Sequence, residues 1–405
     1  MTNKPLAFGI TGSVSPQTPR NRNPSYLLSH VSIQNLLLEV AREPKTPAAV
    51  EAALEGTDIR LEDLEKAGLL KREAGRCRIN FILFLPEDLK TIKEVTGALA
   101  ADLAERYLAE EDAFRDMLGW TTNPDNDPQE LAFLLIGCFS LDWEGLEITR
   151  ELGIRMETTA TELGDRYIAW AEARDKRDVR GIYWGSHNAY FPDCVLTSFG
   201  DHAAQPRNAL PDLAWRVSTQ VYHMGLPETL AARLNAGISP YWEDFLHDTG
   251  RVMLSLAGGS RTLEEVSRIV TLPPERSAHL IALLKELAYV RRGAPGEWHP
   301  AVPVLPRSDK PLTQAVLAKS QKILADWLPE HLGALRKDLK GLTPFRYGLP
   351  FEKAFSQVWH YLFGLTNQEM VRGGLFADPY SADRTARGFI SAVWHPDIFP
   401  QGIGL

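Results

Sequence analysis

The stretch Leu36–Pro86, LLLEVAREPKTPAAVEAALEGTDIRLEDLEKAGLLKREAGRCRINFILFLP, decides how the rest of the chain is read. Leu36, Leu37 and Val40 give a helix one apolar face. Thr46 can accept from the first turn of a helix, and Pro47 follows at the first helical position, where a missing N–H is harmless. That opens a short helix through Val50 to Leu54, which Gly56 breaks. A third helix carries Leu61, Leu64 and Ala67 and ends on Gly68-Leu69. Lys71 to Leu85 then holds a turn at Ala74-Gly75 and an apolar run, Ile79 to Leu85, suited to a strand. The expectation is three helices followed by a hairpin.

The stretch returns about two hundred residues later. At an offset of 216, Thr46 faces Thr262, Val40 faces Leu256, Ala41 faces Ala257 and Val50 faces Val266. Beyond a four-residue insertion the offset is 220, and Leu61 faces Ile281, Leu64 faces Leu284, Lys71-Arg72 face Arg291-Arg292, and Leu85-Pro86 face Leu305-Pro306. Two offsets that serve so many positions indicate an internal duplication.

Three helices and a hairpin resemble a winged helix-turn-helix, most closely that of the ArsR-like regulators. The pattern LEKAGLLKREAGRCRI, Leu64–Ile79, carries the resemblance. It implies a mainly α fold with small β-hairpin wings and a DNA-binding transcription regulator. The third helix would enter the major groove of duplex DNA, with the hairpin as the wing. ArsR-like proteins work as symmetric dimers, so a duplicated chain implies an intramolecular pseudo-dimer. A long helix follows each wing, about Glu87 to Leu118 and about Leu312 to Leu339, and the resemblance has these two pack together.

Composition sets bounds. The 405 residues suffice for two or more domains, and 44% hydrophobic with 24% charged residues is ordinary for a soluble globular chain. A net charge of −8 argues against nonspecific nucleic-acid binding by the whole surface, though not against a local basic patch. Cys77, Cys138 and Cys194 are far apart, form no Cys/His cluster at metal-ligand spacing, and read as reduced thiols of a cytoplasmic protein. No metal and no cofactor is expected. No apolar run approaches the roughly 18 residues of a membrane span, and no signal core stands at the N-terminus.

In order, residues 1–24, rich in Pro, Thr, Ser and Asn, read as a flexible arm. Residues 25–118 form the first winged-helix unit with its long helix, and 119–205 a helical and aromatic segment. Within the latter, Glu130 to Leu152 and about Glu157 to Ala173 read as helices. Residues 206–240, punctuated by Pro and Gly, read as a linker. Residues 241–340 form the second unit with its helix, and 341–405 the second aromatic segment, with Glu352 to Gly374 helical. His187-x-x-x-Phe191-Pro192 and His395-x-x-x-Phe399-Pro400 look like the matching ends of the halves, at an offset of 208.

The candidate DNA contacts are cations. Lys71, Arg72, Arg76 and Arg78 crowd the first wing, and Arg291 and Arg292 the second, where they can neutralise phosphates. The first recognition helix holds three acids, Glu62, Asp63 and Glu65, against Arg60 and Lys66, which disfavours the major groove. The second offers Arg276, Ser277 and His279 near its start, where bases are usually read. The acidic first helix keeps open the alternative of a winged-helix module that binds a protein partner without DNA. Tyr183, Trp184 and His187 in one half, and Trp394 and His395 in the other, are candidate walls of a pocket for a small-molecule effector. No catalytic motif appears: GxSxG, GxxxxGK[ST] and HExxH are all missing, and Asp201-His202 and His247-Asp248 are sequence neighbours rather than dyads.

Overall fold

Helices carry most of the chain and strands are short. The computed structural model describes residues 5–14, 18–154, 166–173, 184–201, 209–213, 226–381 and 388–399. In order these form β1 (Ala7–Ser13), α1 (Pro24–Ser29), α2 (Val31–Arg42), α3 (Pro47–Ala53), α4 (Leu61–Lys66), β2 (Leu70–Glu73), β3 (Arg76–Ile79) and β4 (Ile82–Phe84). Next come α5 (Pro86–Leu108), α6 (Glu111–Leu118), α7 (Pro128–Ala132), a π-helical stretch (Phe133–Glu144), α8 (Gly145–Glu151), β5 (Arg166–Glu172), β6 (Trp184–Tyr190) and β7 (Val195–Asp201). The remainder is α9 (Glu228–Ser255), β8 (Arg261–Thr262), α10 (Leu263–Val270), α11 (Pro274–Glu286), β9 (Val290–Arg292), β10 (Glu297–Pro300), β11 (Val304–Leu305), α12 (Lys310–Leu339), α13 (Thr343–Arg346), α14 (Phe351–Arg372) and β12 (Phe389–Trp394). Among the described residues no helix is long and apolar enough to cross a membrane.

The chain divides into two compact units that do not follow its halves. One holds Met1–Ala100, Leu146–Arg180 and Ala325–Leu362; the other holds Ala101–Gly145, Gly181–Leu324 and Phe363–Leu405.

In the first unit α2, α3 and α4 precede the β2–β3 hairpin, and Lys45 between α2 and α3 bridges to Cys77 of β3. Thr46 caps α3 by accepting from the Ala49 N–H at 3.2 Å. Leu37, Val40, Val50, Leu64, Leu69 and Ile79 share one buried core. Within the stretch read as a flexible arm, residues 7–13 are a strand. β1 pairs antiparallel with β5, Leu6 is buried, and its N–H donates to Gln34 Oε1 at 3.0 Å. Of the helix expected from Glu157 to Ala173, the part up to residue 165 lies outside the described residues, and 166–172 are the strand β5. Tyr167, Ile168 and Trp170 suit a central strand, and β5 is paired on both edges, by β1 and by β4.

In the second unit α9, α10 and α11 precede the β9–β10 hairpin, and β8 adds the third strand in the order β8-β10-β9. Thr262 and Glu265 cap α10 reciprocally, with N–H to side-chain distances of 2.8 and 3.3 Å. Residues 228–240, read as linker, are the first turns of α9, which continues through Pro240. The helix after the first hairpin stops at Leu108 and restarts as α6, where Glu111 and Asp112 suit a helix N-terminus. Tyr107 of α5 and Ser320 of α12 share a buried hydrogen bond of 2.6 Å, and Lys319 reaches Glu110 at 2.7 Å.

Backbone details recur at fixed offsets. The N–H of Leu69 donates to Leu64 O, and that of Tyr289 to Leu284 O. Ile154 N–H donates to Thr149 O beside left-handed Gly153, and Leu375 N–H to Met370 O beside left-handed Gly374. Two sheets share one pattern. In the first unit β1 is antiparallel and β4 parallel to β5; in the second, β7 is antiparallel and β11 parallel to β12. By that pattern β5, not the β6 region, is the counterpart of β12. The His-x-x-x-Phe-Pro echo is therefore coincidental. His187 lies within β6, whereas His395 follows β12 and caps a short 3-10 turn, Pro396–Ile398, and Pro400 lies outside the described residues.

Candidate nucleic-acid interface

The first hairpin presents its cations beside acids. Arg72 on β2 grips Glu65 of α4 through two bonds of 2.6 Å, and this carboxylate holds the guanidinium pKa above its ordinary value. Arg78 pairs with Glu73 at 3.0 Å, and Lys71 stands 3.9 Å from the same carboxylate. Arg76, at the hairpin tip, is exposed and makes one long bond, 3.4 Å, to the Pro44 carbonyl. On α4, Asp63 turns inward: it accepts from Arg60 N–H at 3.0 Å and Asn21 at 2.8 Å. Glu62 pairs with Lys66, which lowers its pKa. The acidity of this helix is thus partly spent within the fold, which the composition alone did not reveal.

In the second unit Arg276 and His279 stand exposed on the first turns of α11, and Arg276 pairs with Asp248 of α9. Ser277 is fully buried, so the reading of Ser277 as a base contact is corrected: its position on α11 faces the core, one residue out of phase with the exposed edge. Arg291 meets Asp125 at 2.5 Å, and His299 lies 3.0 Å from the same carboxylate. Arg292 lies over the Trp298 ring, 5.3 Å from its centroid. Between α11, the start of α10 and the hairpin runs a groove of about 400 Å³, lined by Leu263, Ala278, Ala282, Trp298, Lys285 and Arg292.

The aromatic segments do not form one pocket per half. Tyr183 lies outside the described residues. Trp184 is buried against Phe133 and Phe199, and Trp394 against Phe139, Trp143 and Phe399, with its Nε1–H donating to Thr197 Oγ1 at 2.7 Å. Both tryptophans stand on one four-stranded sheet, β11-β12-β7-β6, as core side chains. His187 Nδ1 sits 2.5 Å from Asp212, and the His395 ring accepts from the Asp397 N–H at 3.1 Å.

Sequence reasoning missed the acids that meet the cations, Asp125 and Asp248, because each lies far along the chain or on another helix. It also missed a cluster that only folding assembles. Asp193 and Cys194, in the β6–β7 turn, meet His247 of α9 with one donor atom each, all within 4.8 Å of one another. Compared with protein-family models, curated proteins and solved structures, the chain finds no match.

Proposed function

We propose that this chain is a DNA-binding transcriptional regulator of the ArsR-like winged-helix type, with two winged-helix units fused as a pseudo-dimer. One observation carries the reading. Each unit sets a helix pair before a hairpin that exposes two arginines, Arg72 and Arg76 in one and Arg291 and Arg292 in the other. Reciprocal contacts support the fused dimer. Thr343 N–H donates to Asp88 at 2.9 Å in the first unit, and Thr122 N–H donates to Asp309 at 2.7 Å in the second; 221 residues separate both equivalent pairs. A two-fold interface repeats its contacts in this way. In this reading the second unit reads bases through Arg276 and His279, and the first holds the phosphate backbone. Fluorescence anisotropy against duplexes selected from a random pool tests it. Binding should weaken steeply with salt, whereas no duplex held more tightly than about 10⁻⁵ M at low salt, the nonspecific range, would sink it.

A second reading has one observation in its favour. The groove beside Trp298 is largely apolar in its walls, and Arg72 and Arg291 of the hairpins already face acids. A winged-helix module binding a protein partner uses such a face. Failure of the DNA measurement, together with a partner whose binding perturbs Trp298, selects this reading.

A further inference from the structure

We propose that Asp193, Cys194 and His247 form a binding site for a divalent transition metal of the zinc or cobalt class, with a fourth position open to solvent. The three donors are of the types such ions select: carboxylate oxygen, thiolate sulfur and imidazole nitrogen. His247 Nε2 stands 2.5 Å from Asp193 Oδ1, and one donor atom from each of the three residues lies within 4.8 Å of the other two. Zinc bonds are about 2.0–2.2 Å to N and O and about 2.3 Å to S, so a small spreading of the His–Asp pair admits the ion.

The surroundings are arranged as metal ligands require. Phe191 stacks on the His247 ring, 5.2 Å between centroids and 12° from parallel, and fixes its plane. Arg251 approaches the other oxygen of Asp193, Oδ2, at 3.7 Å and leaves Oδ1 turned toward His247. Such outer contacts orient a ligating carboxylate. Gly250 lies over the Cys194 sulfur, where any β-carbon would collide with it, so the helix surface leaves room for the sulfur from below. Cys194 is buried, whereas the side chains of His247 and Asp193 are 29% and 48% exposed; the ion and a water ligand can enter from that side.

The metal-free Cys194 thiol donates weakly to the His247 carbonyl at 3.8 Å. Binding breaks the S–H bond, forms a metal–sulfur bond and releases one proton to solvent, with no redox change.

The test is titration of the full chain with cobalt(II), read by absorption. One equivalent should produce a thiolate-to-cobalt charge-transfer band and the intense d–d bands of a low-coordinate site, with proton release in weak buffer, and zinc should bleach both. C194S should abolish the charge-transfer band. H247Q, at a partly exposed position, should retain the band while lowering affinity at least tenfold, and it covers the case in which C194S fails to fold. C138A is the control and should change neither. Absence of the band in folded protein, or its survival in folded C194S, overturns the proposal and leaves an ordinary His–Asp pair beside a buried thiol.

Discussion

Asp88 accepts the backbone N–H of Thr343 at 2.9 Å, tying the first turn of α5 to the start of α13 within the first unit. Its counterpart Asp309 accepts the Thr122 N–H at 2.7 Å and both the Thr121 and Thr122 hydroxyls. Removing Asp88 strands the buried Thr343 N–H, at roughly 1–3 kcal/mol, whereas the donors to Asp309 are half-buried Thr121 and exposed Thr122, which water can satisfy in part. D88A should lower stability in urea melts by about that amount, and D309A by less. An unchanged midpoint in both would show that the repeated contact is idle.

Asp88 also predicts a pH effect. Burial raises its carboxyl above the ordinary range, although Leu85 and Thr343 both donate to it. The fold thus favours the protonated form. That stability is full below the unfolded value, near 3.8, and is lost as pH rises through the higher folded value. Urea midpoints across the acidic range should show this decline in the wild type and lack it in D88A.

Ala288 occupies a left-handed position, φ 59°, as does Gly68, φ 68°, which faces it at the 220-residue offset. A β-carbon there costs roughly 1–2 kcal/mol, partly offset by the greater unfolded entropy of glycine. A288G should stabilise the chain by about 0.5–1 kcal/mol, and G68A should destabilise it by a similar or larger amount. Opposite signs from equivalent positions are the outcome to look for in denaturant unfolding.

On DNA, Arg76 should act as a phosphate contact, and R76A should reduce the log–log salt slope by about 0.9 with little change in sequence preference. Glu65 holds Arg72. E65Q should release that guanidinium and steepen the slope by about the same amount. A flat response to both substitutions counts against the first wing as a backbone contact. R276A should instead relax preference at one base pair, by roughly 1–3 kcal/mol if the contact is bidentate.

Trp394 should behave as core. Its ring packs with Phe139, Trp143 and Phe399, and its indole N–H is satisfied by Thr197. W394A should cost about 3–5 kcal/mol in unfolding free energy. A variant of wild-type stability would reopen the case for an effector pocket at this residue.

Local chemistry wrote much of this architecture into the sequence. Thr46-Pro47 and Thr262 start helices by capping, Gly68 ends one by its left-handed conformation, and the Ala74-Gly75 turn marks the hairpin; each signal acts within a few residues and so can be read in order. The offsets of 216 and 220 between the two stretches were legible for the same reason. What only tertiary structure decided involves distant partners. β1 became a strand because β5 offered it an edge, and β5 became one because it lies between β1 and β4, neither fact being visible in the Pro- and Asn-rich N-terminus. Strand pairing likewise moved the counterpart of β12 to β5 and turned Trp184 and Trp394 from pocket walls into core. The electrostatics of the candidate interface also waited on the fold, because the acids facing Arg276 and Arg291 come from α9 and from the loop before α7. Charge is a property of composition, but its pairing depends on distances of a few ångströms that only packing sets.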